Sequence, residues 1–202
     1  MRKAGWVMMT VLAVIVAVYA LLVLLLPGFG PPFIAERRAL VPIALVAHLV
    51  GGLTALVLGP WQLNSRLRAR AIGRHRWMGR GYVLAVLIGG LGALGLAPLS
   101  EEGLVTHVGF GLLAVLWLTA TFMAYVRIRA GDRARHRVWM IRSYALTLAA
   151  VMLRIYLPLS QVAGIPFADA YQVVAWLCWV PNLVVAEWLA LRCQPGAGEV
   201  AA

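Results

Sequence analysis

The residues best suited to chemistry in this chain are its four histidines, His48, His75, His107 and His136. Two stand inside near-identical phrases, RHRWMGRGY at 74–82 and RHRVWMIRSY at 135–144. The other two open HLVGGLTAL and HVGFGLLAV, which share His, Gly, Leu and Ala in register. A neutral imidazole can act as a polar relay or ligate a metal through one ring nitrogen. Two imidazoles facing each other suit one task in particular, the axial ligation of a six-coordinate haem iron from both faces.

The elements that must position these histidines follow from composition. Of 202 residues, 63% are hydrophobic, and the mean hydropathy is +0.88. A soluble domain of this length cannot bury so much apolar surface, so the solvent is lipid. Apolar runs lie at about 6–27, 40–63, 77–97, 104–126, 138–157 and 171–191. Each is long enough to cross roughly 30 Å of hydrocarbon as a helix. The fold class read here is all-α: one polytopic membrane domain over 1–202 with six transmembrane helices. Run 1 follows Met-Arg-Lys but is too long for a signal peptide, and LLPGFGPPF lacks a small-x-small cleavage site.

The net charge of +11 is concentrated in two loops, which argues against a nucleic-acid partner. One loop holds Arg66, Arg68, Arg70, Arg74 and Arg76; the other holds Arg127, Arg129, Arg133, Arg135 and Arg137. The opposite loops carry Glu101, Glu102 and Asp169, with Arg37 and Arg38 beside Glu36 as the exception. The positive-inside rule then places both termini in the cytoplasm and the chain in a cell inner (plasma) membrane, with anionic lipid at the basic face.

With that orientation, runs 2 and 3 form one copy of a repeat and runs 4 and 5 the other. Both copies enter from the same side, so a pseudo-twofold axis along the membrane normal should relate them within a central four-helix bundle. His48 and His107 lie 18 and 20 residues before Arg66 and Arg127, toward the outer surface. His75 and His136 open their runs at the cytoplasmic boundary. The axis implies an outer pair, His48–His107, and an inner pair, His75–His136, each a candidate metal site. Gly52, Gly111 and Gly79 follow their histidines by one turn, where a flat ring needs small neighbours; Met140 takes the fourth place. Small residues equally suit ordinary helix contacts. Arg80, Arg142 and Arg154 are cations within spans and call for anions, such as haem propionates or a quinone-like substrate.

Simpler roles exist for each. The outer histidines could hydrogen-bond between helices, and the inner ones could belong to a solvated basic loop. Trp77, Trp139, Tyr82 and Tyr144 read as interfacial belt residues. Arg154 could pair with Glu101, Glu102 or Asp169, and Glu187 with Arg192 or a loop arginine. Asn182, after Pro181, should satisfy backbone freed by a kink. Cys178 and Cys193 have no metal-ligand spacing. No phosphate loop, nucleophile elbow, zinc helix or carboxylate pair is present in the sequence.

GPWQLNSRLRARAIGRHRWMGRGY and HRVWMIRSYALTLAAVMLRIYLP resemble the bacterial membrane family known as domain of unknown function 2306, over about residues 40 to 192. That resemblance implies a multi-pass membrane protein without an established activity. The arrangement is also similar to the six-helix cytochrome b-561 group, which holds two haems on four histidines of its central helices. By that analogy His48 pairs with His107 and His75 with His136, with haem b as cofactor. Lys3 is the only lysine, so the lysine-based ascorbate site of that group has no counterpart. Two functions are therefore expected to compete. One is a dihaem transmembrane electron carrier, a possible oxidoreductase with a quinone or other redox partner. The other is a haem-free transporter or accessory subunit of a membrane complex.

Overall fold

The computed structural model describes residues 3–191, with the side chain of Leu67 excepted; Cys193 and Arg192 lie outside that range. Among the described residues every regular element is helical. Six helical spans are long and apolar enough to cross a membrane: 3–25, 42–63, 72–99, 104–129, 133–162 and 167–191.

The first span is α1 (Lys3–Leu25), and a short amphipathic α2 (Pro32–Leu40) leads into the second, α3 (Pro42–Leu63). The basic connection that follows is itself partly helical, as α4 (Ser65–Arg70). Next come α5 (Ile72–Leu96) and α6 (Leu104–Arg129). The fifth span is interrupted at Leu148 into α7 (Arg133–Thr147) and α8 (Ala149–Val162). The sixth is interrupted near Trp179 into α9 (Phe167–Leu177) and α10 (Val180–Leu191).

Hydropathy placed the third and fifth spans too late. α5 begins at Ile72 and α7 at Arg133, so both Arg-His-Arg phrases are already helical. Arginine is a good helix former, and α7 is started by Asp132, whose side chain accepts from the Arg135 amide at 2.9 Å. An apolar-run criterion ends where the charge begins; the helix does not.

α3 packs on α5, α5 on α6, α6 on α7, and α7 closes the ring on α3. α1 lies outside this ring against α3 and α8, and α9 and α10 lie against α6 and α7. The closest approach is between α3 and α5, where Gly51 meets Gly89 and a Cβ on Gly92 would lie 2.6 Å from the Ala44 carbonyl oxygen. Lipid offers no hydrophobic drive to bring helices together, so this intimate backbone contact is what small residues permit and dispersion stabilises. The core beside it holds Tyr82, Val86, Trp117, Tyr144 and Cys178. Asn182 behaves as its sequence context suggests: its Nδ2 donates to the Cys178 carbonyl at 3.0 Å and the Ala145 carbonyl at 3.2 Å. The second of these ties the broken sixth span to α7.

Candidate functional site

At the arginine-rich end of the ring, each of the four central helices brings a polar side chain. α5 contributes His75 and α7 contributes His136, and the two imidazoles are close enough to feel each other's charge. His136 Nδ1 lies 2.8 Å from the Ala124 carbonyl oxygen of α6. A protonated Nδ1 donating there fixes the ring and leaves Nε2 as the free lone pair. His75 Nδ1 is buried and has no hydrogen-bond partner. From α3, Gln62 is only 6% exposed, and its Nε2 is buried and unpartnered. Its Oε1 sits against Gly79, 3.2 Å from where a Cβ would be. From α6, Arg127 Nε is likewise buried and unpartnered. Buried polar groups without partners are rare and mark places where something else is bound or where water enters. Three of them, on α3, α5 and α6, fall toward the arginine-rich end of the ring.

The outer pair is arranged differently. His48 Nδ1 is 3.1 Å from the Gly89 carbonyl oxygen on α5, which also leaves Nε2 free. His107, however, places Nε2 itself 2.9 Å from the Ser100 carbonyl oxygen, in the turn before its own helix. The nitrogen by which this imidazole reaches farthest is thus engaged. A Cβ on Gly52 would meet nothing within 4 Å, and one on Gly111 meets only Ala97 at 3.9 Å. The inner histidines thus keep a ring nitrogen without a hydrogen-bond partner, His75 at Nδ1 and His136 at Nε2, whereas the outer ones are engaged through unlike nitrogens.

The repeated phrase makes one contact twice. The Arg80 guanidinium lies 4.9 Å above the Trp77 ring, and Arg142 lies 4.4 Å above Trp139, each one turn along its helix. Beyond this the copies diverge. Arg142 also forms a two-pronged ion pair with Glu187 on α10, at 2.6 and 2.7 Å. So Glu187 is matched by a span arginine rather than by a loop one; Arg192, the other expected partner, lies outside the described residues. Arg154 differs from expectation too. Glu101 pairs with Arg37, while Arg154 lies 4.9 Å over the Tyr19 ring and donates to the Ala150 carbonyl at 2.9 Å.

Tyr82 and Tyr144 are not belt residues. Their exposures are 0% and 1%, because seven or eight residues past the histidine carry each about two turns into the bundle. Tyr144 lies over Gly59 and donates to the Leu56 carbonyl at 3.3 Å. Tyr82 Oη is the hub of a buried network, 2.8 Å from Ser143 Oγ and 2.9 Å from Thr147 Oγ1. Trp117 Nε1 donates to Thr147 Oγ1 at 2.9 Å, and Thr121 Oγ1 is 2.6 Å from Ser143 Oγ. Sequence reasoning missed this network. The only available signal was a set of hydroxyls in otherwise apolar runs, each of which could equally have bonded its own helix backbone.

Six apolar spans, a closed central ring and a polar cluster at its basic end define a multi-pass helical membrane protein. The family model for a predicted membrane protein, domain of unknown function 2306, matches residues 45–190, and the chain belongs to that family. No curated protein and no solved structure matches it.

Proposed function

We propose that this protein is a b-type haem carrier moving electrons through the membrane, with His75 and His136 as its best-supported ligands and His48 and His107 as a second pair. The observation that carries this reading is the inner end of the ring: an imidazole on each of α5 and α7, one with its Nδ1 committed to the Ala124 carbonyl, and unpartnered buried donors on α3, α5 and α6. Haem iron supplies a one-electron couple when bound; holding and orienting it falls to the chain. His136 keeps Nε2 directed by its backbone bond. The N–H groups of Gln62 and Arg127 suit carboxylate side groups, and Arg80, stacked on Trp77 but exposed, is free to do the same. Arg142 is already neutralised by Glu187. The similarity in plan to the cytochrome b-561 group supports the same pairing. The arginine-rich loops would face the cytoplasm, with a quinone or other redox partner exchanging electrons. Reporter fusions after Gly131 should accordingly be active only in cytoplasmic form; activity on the outer side alone reverses the orientation.

The test is a dithionite-reduced minus oxidised spectrum of the purified protein. A reducible Soret band is expected, and His136→Ala should remove one haem per chain while His48→Ala removes the other. A full signal remaining in His48→Ala would reduce the protein to the single inner site. Colourless protein, even after haem supplementation, sinks the reading altogether.

A second reading keeps the bundle free of haem, as a transporter or an accessory subunit. It is favoured by the filled core between the central helices, which holds Tyr82, Trp117 and Tyr144, and by the carbonyl bond that already engages His107 Nε2. The same spectrum decides between the two.

A further inference from the structure

Arg154 is a cation held inside the membrane with no carboxylate against it among the described residues. It lies eight residues before the end of α8 at Val162, about 12 Å down the helix axis. Two other polar residues sit at the same level. Tyr19 is six residues from the end of α1, and His48 is six residues into α3, each about 9 Å below its outer end. The Tyr19 ring lies under the guanidinium, 4.9 Å from it, and His48 is within electrostatic range of it.

Two features show that the charge is held there rather than reaching for the surface. Its Nη1 donates to the Ala150 carbonyl, one turn deeper, at 2.9 Å. Long cationic side chains near a helix end normally snorkel the other way. Its Nε is buried and has no partner. The acids at that end do not relieve it: Glu36 and Glu101 are paired with Arg37, Asp169 is exposed on the first turn of α9, and Glu102 forms no ion pair with it. Tyr19 and the Ala150 carbonyl offer partial negative charge only. A partly buried arginine at this depth, with an unpartnered N–H and no counter-charge, is a receptor for an oxyanion.

We infer that Arg154, with Tyr19 beneath it, binds the anionic head of an outer-leaflet amphiphile, a carboxylate or phosphate carried on an apolar tail. The choice of an amphiphile follows from depth. An inorganic anion would have to leave water to reach this level, whereas a lipid-borne head arrives laterally with its tail already in the bilayer. α1 stands outside the ring against α3 and α8, so the site lies on the rim of the bundle and borders lipid. This inference does not depend on haem.

The experiment uses the full-length chain, purified and delipidated in a neutral detergent, with phosphatidylglycerol, oleate, phosphatidylcholine and inorganic phosphate as probes. Native mass spectrometry and thermal melts read the outcome. Wild type should retain one phosphatidylglycerol or oleate per chain and melt higher with either, while phosphatidylcholine does neither. Retention should fall about tenfold in Arg154→Gln and stay unchanged in Arg129→Gln, a loop arginine that controls for surface attraction. Should Arg154→Gln fail to fold, the wild-type comparison decides alone: equal retention of phosphatidylglycerol and phosphatidylcholine overturns the proposal. Undiminished retention in a folded Arg154→Gln overturns it as well. So does full displacement of the lipid by millimolar phosphate, or a bound haem whose removal abolishes the site.

Discussion

Gly51→Ala should loosen the bundle severely, while Gly52→Ala, one residue along the same helix, should leave it unchanged. A Cβ on Gly51 would stand 2.4 Å from both the Ala85 carbonyl oxygen and the Gly89 nitrogen, whereas one on Gly52 meets nothing within 4 Å. The atoms in the way belong to backbone, which cannot swing aside as a side-chain tip can. α3 and α5 must therefore move apart along their whole contact. Overpacking of this kind costs about 1–3 kcal/mol, and the upper end applies because the His48 bond to the Gly89 carbonyl is pulled apart too. In a thermal melt the Gly51 variant should lose on the order of 10 °C. Equal melting of the two variants would mean that α3 and α5 do not meet at this face.

Removing the Tyr82 ring should have an effect of similar size, for a different reason. Tyr82→Ala empties a fully buried volume between α5 and α7, and loss of a buried aromatic ring costs about 3–5 kcal/mol. Tyr82→Phe keeps the ring and removes only the hydroxyl. Ser143 and Thr147 would still have Thr121 and Trp117 as partners. Hydrogen bonds inside membrane proteins average about 0.6 kcal/mol each, so two lost bonds amount to about 1 kcal/mol. Chemical unfolding in mixed micelles should rank wild type above Phe and Phe well above Ala. Should Phe prove as damaging as Ala, the hydroxyl network rather than the packing of the ring would hold α7 in place.

The repeated phrase shows how far local sequence reaches. Trp77 with Arg80 and Trp139 with Arg142 make the same stacked pair, because a separation of three on a helix brings side chains together whatever lies around them. The rest of each copy depends on its neighbours. Arg142 finds Glu187 because α10 packs on α7; Arg80 is exposed. Tyr82 bonds to hydroxyls of α7, and its counterpart Tyr144 bonds to the Leu56 carbonyl on α3. His48 and His107, alike in sequence, bond to carbonyls in different places. Likeness in sequence therefore did not carry over to likeness in partners.

Span number and helical class were legible from residues alone because insertion into hydrocarbon is a sum over one segment. About twenty apolar residues must hydrogen-bond their backbone internally wherever the other segments lie. The candidate histidines were legible too, since a polar ring in such a segment stands out against it. Partner choice was decided only in three dimensions. Lipid is as apolar as leucine, so hydropathy does not say which face of a span meets another. That is settled by where glycines such as Gly51 and Gly59 let a neighbour approach. Those approaches bury Tyr82 and Tyr144 at the centre, set Gln62 against Gly79, and leave Arg154 without a counter-charge among the described residues.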